Sequence, residues 1–234
     1  ASSMMMNGGK MHSNVHEITL GISPVDTKNF KLDFAFNFSK IDNYVDELAP
    51  GVESIMLGGF VTPQVRAGIG DKFPVIYYKR DGEGRIVVNE KGIPEAGETQ
   101  VIGKVSPDFR LGFNTNIELY KFRLAAVFDW KQGGQMYSGT AGETNFYGTS
   151  KLSGEVRKSD KYHFDYAAVE QKGVDADGKP IYVPYTGGVK GSDAEEYFKS
   201  VRGIDEAYVY DNSFLKLREL SLSYPVYKKD NLNV

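Results

Sequence analysis

Few groups in this chain could make or break a bond. There are three histidines, His12, His16 and His163, and no cysteine. His16-Glu17 lacks the second histidine of a helical metalloprotease motif, and no serine, histidine and acid combination stands out. The histidines therefore read as ordinary polar strand or loop positions, and zinc or copper sites lack their usual ligands. Asp81-Gly-Glu-Gly84 and Asp175-Ala-Asp-Gly178 resemble calcium loops. A helix-loop-helix calcium site closes with a bidentate glutamate at its twelfth position, where these two loops have Gly92 and Thr186. Both read more simply as turns in which Asp and Gly supply positive φ. No cofactor is expected and no catalysis.

Recognition without covalent chemistry has better candidates. The tract from Trp130 to Tyr147 sets Tyr137, Phe146 and Tyr147 among Gly, Gln, Ser and Asn. Aromatic faces give apolar contact and neighbouring amides and hydroxyls fix orientation, a combination that suits a sugar or a peptide. Trp130, Tyr137, Phe146 and Tyr147 are the candidate substrate-binding residues, with packing against neighbouring loops or a protein partner as the competing role.

The elements that must carry these residues are strands. In Phe30-Lys-Leu-Asp-Phe-Ala-Phe-Asn-Phe38 every second residue is aromatic or Leu and the rest are Lys31, Asp33, Ala35 and Asn37. Side chains alternate between the faces of a strand, so one face is apolar and the other polar. The pattern returns in Leu111 to Leu119 and in Phe122 to Trp130, and Ile18, Leu20 and Ile22 share a face before Pro24. In Phe214 to Tyr224 the parity switches: Leu215 and Leu217 share one phase, Leu220, Leu222 and Tyr224 the other. A bulge near Arg218-Glu219 would realign them. Ser192 to Ser200 is the best helix candidate, and short hairpins are expected at Arg85 to Asn89 and at Ile181 to Tyr185.

The connections alternate in length. Asp26-Thr-Lys-Asn29 and Tyr120-Lys121 are hairpin turns, whereas about 70 and about 80 residues separate the other strand pairs, far beyond the usual loop. Short turns at one end and long loops at the other are the asymmetry of outer-membrane barrels, and aromatics at both strand ends match interfacial girdles. The expected fold is all-β: an antiparallel transmembrane β-barrel section with short periplasmic turns and long extracellular loops. Residues 1–234 form one partial barrel domain with outer loops at about 41–107 and 131–211. A soluble sandwich, as in a carbohydrate-binding or adhesin module, is the alternative home for the apolar faces. A glycan-cleaving enzyme would need paired carboxylates at a defined separation.

Composition narrows the partners. A net charge of −3 offers no basic stripe for phosphates, so no nucleic acid is expected. No apolar run approaches the ~20 residues of a membrane helix, which leaves barrel strands untouched. Ala1-Ser-Ser-Met-Met-Met has neither a basic start nor a long apolar core, so no secretion signal opens the chain.

Taken in order, Ile18 to Phe30, Leu32 to Asn43, Val75 to Gly82, Ile102 to Phe109, Phe128 to Gly134 and Asp211 to Tyr224 resemble the SusC/RagA family of TonB-dependent outer-membrane transporters of Bacteroidota. The resemblance implies a large barrel in the cell outer membrane, a plug, and a SusD-like surface lipoprotein as lid. It also implies TonB-powered nutrient uptake of glycan oligosaccharides or peptides. The plug, the TonB-contacting region and the final strands have no counterpart here, so a late section of the barrel is expected.

Overall fold

The computed structural model describes residues 9–51, 73–102 and 104–226, with two-residue strands at 55–56, 64–65, 228–229 and 232–233. The opening Ala1-Ser-Ser-Met-Met-Met lies outside the described residues, as does most of the tail after Val226.

Five long strands make one antiparallel sheet, the wall. They are β1 (Gly9–Asp26), β2 (Phe30–Leu48), β3 (Phe109–Leu119), β4 (Phe122–Gln132) and β5 (Phe214–Ser223), adjacent in that order. Thr27 closes the first turn, its hydroxyl donating to the Phe30 carbonyl at 2.8 Å. The second turn places Tyr120 at φ +54, a left-handed conformation that strains a residue with a Cβ.

The register turns the alternation of each strand into rows that cross the sheet. On the apolar face Leu20, Phe36, Phe113, Phe128 and Leu217 are successive partners, and so are Ile18, Phe38, Leu111, Trp130 and Leu215. Phe113 is the hub of an aromatic ladder, with ring centroids 4.9 Å from Phe36, 5.6 Å from Phe34 and 5.9 Å from Phe128. Beyond the Ile18–Phe38 row the same face becomes charged, with His16 opposite Lys40 and Lys40 3.3 Å from Asp42. On the opposite face Asp26, Lys31, Glu118, Arg123 and Ser223 form a polar row.

Two of the three register shifts in the wall keep its apolar rows pure. In β5 the register shifts between Leu217 and Glu219, so Arg218 is the additional residue and all four leucines share the apolar face. This is the bulge that the parity switch predicts. In β1 the shift lies between Ile22 and Val25, and the strand runs on through Pro24 to Asp26, where the sequence pattern suggests a stop at Pro24. Proline lacks the N–H of a ladder but is tolerated at a bulge.

No second sheet packs on the apolar face among the described residues. Leu215 and Leu222 are each 70% exposed. The closest packing is elsewhere, in a lobe folded from the segments between β2 and β3 and between β4 and β5. There Phe73–Tyr78 pairs with Ala96–Ile102, and Ile86–Val88, Ala168–Val174 and Pro180–Pro184 form a second small sheet. Three helices, α1 (Gly139–Phe146), α2 (Lys151–Lys158) and α3 (Ala194–Val201), surround a core of Val156, Val189, Tyr197, Phe198, Val201 and Tyr208.

Several expectations need adjusting. The wall strands run to Leu48 and Gln132, past the expected loop boundaries near 41 and 131. Pro180–Pro184 does form a hairpin with Ala168–Val174, but Ile86–Val88 pairs parallel with Ala168–Glu170, about 80 residues away. That pairing is set by burial: Ile86, Val87, Val88 and Val169 are all inaccessible. The expected helix starts as a 3-10 turn at Gly191–Asp193 and becomes α-helical at Ala194.

Candidate functional site

The lobe is set against the wall by two exits. Gly133 and Gly134 leave β4 at φ +73 and +79, where a Cβ on Gly134 would stand 2.7 Å from the Val105 carbonyl oxygen. The Gly133 N–H donates to Ser213 Oγ at 2.7 Å, tying the exit of β4 to the entry of β5. From there Gln135–Tyr137 pairs with Val209–Asp211 and carries Tyr137 into the lobe.

Ser138 begins α1, its hydroxyl accepting the Ala141 N–H at 3.3 Å, and Ser150 begins α2 by accepting the Ser153 N–H at 3.0 Å. Between them, Asn145 Oδ1 accepts the Ser150 hydroxyl at 2.6 Å and Arg157 reaches back to the Gly148 carbonyl. The turn that presents Phe146 and Tyr147 is thus pinned from both helices. Gly142 lies against the Tyr208 ring, which meets Tyr137 edge-on with centroids 6.3 Å apart.

Phe146 separates two open cavities. One, about 400 Å³, is bounded by Phe146, Tyr147, Arg157, Glu195 and Lys199. The other, about 430 Å³, is bounded by Tyr137, Glu143, Phe146, Lys199, Arg202 and Asp205. Both volumes fall within the range of small-ligand sites. The Arg202 guanidinium lies 4.6 Å from the Phe146 centroid and pairs with Glu143, whose carboxylate holds the arginine pKa above its ordinary value. Tyr147 meets Phe146 edge-on at 5.0 Å and is 70% exposed.

Three of the four residues suggested by the sequence therefore come together. Trp130 does not join them. It lies in the apolar row of the wall, edge-on to Phe109 at 5.1 Å, with Nε1 donating to Gln132 Oε1 at 3.2 Å. Arg157, Lys199 and Arg202 complete the rims, and sequence reasoning missed them because their helices come from separate parts of the chain. The serine caps before α1 and α2 were the available signal.

Burial raises the Tyr137, Tyr166 and Tyr208 phenols above their ordinary value, and most strongly those of Tyr78 and Tyr197, so they stay neutral beyond the pH at which a free phenol ionises. The histidines are dispersed: His12 stacks on Tyr44 at 4.9 Å and meets Asp46 at 2.8 Å, and His163 lies beside Gly188. Both acidic loops use their carboxylates to close turns. Asp81 Oδ1 accepts the Glu83 and Arg85 N–H groups, and Asp175 Oδ1 those of Asp177 and Lys179. Among the described residues no three His, Cys, Asp or Glu side chains converge on a metal-sized site.

No family model matches the sequence, and no curated protein matches it. Solved structures do. A chain of the RagAB peptide importer in the "closed-closed" state superposes with a TM-score of 0.59 at 18% identity, covering 94% of this chain and 24% of that one. The RagAB peptide transporter gives 0.59 at 18% over 93% of this chain, and the importer in the "open-open" state 0.57 at 16%. The chain spans about a quarter of the length of these relatives. Identity this low establishes the fold: a barrel-like antiparallel section with its long connections.

Proposed function

We propose that this chain is an arc of an outer-membrane nutrient importer, its apolar face against lipid and its polar face toward a hydrated lumen. In this reading the turns are periplasmic and the lobe is extracellular. The observation that carries it is the set of uncovered apolar rows. Ile18, Leu20, Ile22, Leu215, Leu217, Leu220 and Leu222 are all exposed. At about 1.5 kcal/mol each, leaving them in water would forgo about 10 kcal/mol, as much as the whole stability of an ordinary domain. The face must therefore be covered, and its dimensions suit a bilayer. From Phe30 to Phe38 it runs about 27 Å along the strand, about 20 Å when tilted ~40°, against the roughly 25 Å band of such barrels. It ends at the Lys40–Asp42 pair on one side and at Tyr120 and the Phe122–Tyr224 ring pair, 4.6 Å apart, on the other.

Within this reading the cavities around Phe146 take hold of a peptide or an oligosaccharide, and the lumen passes it inward without breaking a bond. A SusD-like lipoprotein over the lobe and TonB acting through another part of the whole protein complete the cycle. Among the described residues the outer strands β1 and β5 each have one unpaired edge, which further strands of the barrel would close.

Cell fractionation tests the proposal. The protein should sediment with outer membranes, survive a high-salt wash and need detergent to remain monomeric. Recovery as a soluble monomer that melts cooperatively in plain buffer would instead mean that the apolar face is buried within the protein, and the importer reading would fail.

A further inference from the structure

The polar face of the wall is not evenly charged. Near the lobe, Arg110 and Lys131 are direct cross-strand partners, and Phe214 is the partner of Lys131 on its other side. Lys216, two residues beyond Phe214 on the same face, is diagonal to Lys131 and holds Nζ 4.2 Å from the Phe214 centroid. Like charges placed directly opposite one another destabilise a sheet. Lys131 is moreover 6% exposed, and an ammonium so enclosed is costly without a counter-charge.

The acids nearby make no ion pair with these three cations, although Asp211 acts on Lys131 through space. Asp129 accepts from Arg218, and Asp211 accepts the Ser213 N–H at 2.6 Å. Glu17 lies in the same row as Lys131 but three strands away, about 14 Å by strand spacing. Lys131, Arg110 and Lys216 take part in no ion pair or side-chain hydrogen bond among the described residues. With Arg218 included, four cations stand against three local carboxylates, Asp129, Asp211 and Glu219, and the enclosed Lys131 ammonium makes an ion pair with none of them. At the turn end the same face is balanced, Glu118 pairing with Arg123.

We infer that Arg110, Lys131 and Lys216 form a station for carboxylate groups carried by the oligomer that passes along this face. The inference rests on the importer reading and narrows its substrate to molecules bearing carboxylates. A carboxylate between Arg110 and Lys131 would accept charge-assisted hydrogen bonds from both and relieve their repulsion. The carboxylates could belong to an acidic peptide or to a uronic-acid oligosaccharide.

Calorimetry on the detergent-solubilised whole protein distinguishes these sources. One probe pair is an end-blocked peptide with two aspartates and its asparagine twin. The other is an oligogalacturonate and the neutral galactose oligomer of equal length. The station predicts that the charged member of one pair binds at least tenfold more tightly, and the pair that discriminates identifies the source. Lys131→Met and the exposed Lys216→Gln should each reduce that preference several-fold, and neither should lower the melting temperature without ligand. Equal binding of charged and neutral twins would overturn the station and leave the importer reading standing. A lower melting temperature for Lys131→Met would also overturn it, since another segment would then already satisfy the lysine. Binding of no probe at all would count against both.

Discussion

Arg218 and Asp129 meet across β5 and β4, Nε to Oδ2 at 3.0 Å, at the point where β5 carries an additional residue. Removing Arg218 would let Glu219 follow Leu217 directly and keep its place opposite Val127. Deleting Arg218 should therefore preserve the register and cost about 1 kcal/mol or less for a half-exposed ion pair. Deleting Ser221 should instead turn Leu222 to the polar face and abolish folding. If the wall belongs to a membrane barrel as proposed, heat-modifiable migration of the extracted protein reads both outcomes.

The two glycines leaving β4 are not equivalent. A Cβ at Gly133 would meet the movable Asp108 carboxylate, whereas one at Gly134 would meet the Val105 carbonyl of the backbone. Left-handed strain costs roughly 1–2 kcal/mol at either position. Gly134→Ala should be the more damaging by melting temperature, because a backbone cannot step aside as a side chain can.

The tyrosines of the lobe set an alkaline limit. Tyr78, Tyr166, Tyr197 and Tyr208 all have folded pKa values raised above the ordinary value of 10.0, chiefly by burial. A raised folded pKa leaves stability intact below the unfolded value and removes it as pH climbs beyond. The lobe should hold to about pH 10 and then unfold, with phenolate absorbance rising in one cooperative step. Gradual independent titrations would contradict this.

Two carboxylates cover an open strand edge. Asp205 Oδ2 accepts the Ile76 N–H at 3.0 Å and Glu206 Oε2 accepts that of Tyr78 at 2.9 Å, standing where a neighbouring strand would put its carbonyls. Hydrogen bonds to charged groups contribute about 1.5–3 kcal/mol. In Asp205→Ala and Glu206→Ala, exchange of the Ile76 and Tyr78 amides respectively should quicken about ten- to a hundredfold.

If the cavities beside α1 hold substrate, Phe146→Ala should weaken binding at least tenfold by removing the ring they share. Trp130→Phe should leave affinity unchanged, because Trp130 bounds neither cavity. A loss of affinity in Trp130→Phe alone would relocate the site to the wall.

The wall was legible in the sequence because period-two alternation speaks for each strand separately. The misplaced leucines of β5 even located the bulge at Arg218. The lobe was not legible for the opposite reason. Gly139-Thr-Ala-Gly-Glu-Thr-Asn-Phe146 has weak helix propensity and no clear apolar stripe, and it is held by the Ser138 cap and the Tyr208 ring. Ile86–Val88 finds its parallel partner only after the intervening chain has closed, a choice that no local pattern encodes. For the candidate site, the aromatic residues were visible in one tract, but Lys199 and Arg202 arrive from α3 and its C-terminal end.

Trp130 is the single tryptophan of the chain, and it sits at the lobe end of the apolar face. This stretch thus carries an optical probe at the level where lipid headgroups are proposed to lie. Its emission should be blue-shifted in vesicles and quenched by lipids brominated near the headgroup more than by lipids brominated deep in the chain. With any tryptophan outside this stretch replaced by phenylalanine, that indole can report both the solvent and the depth of the whole row to which it belongs.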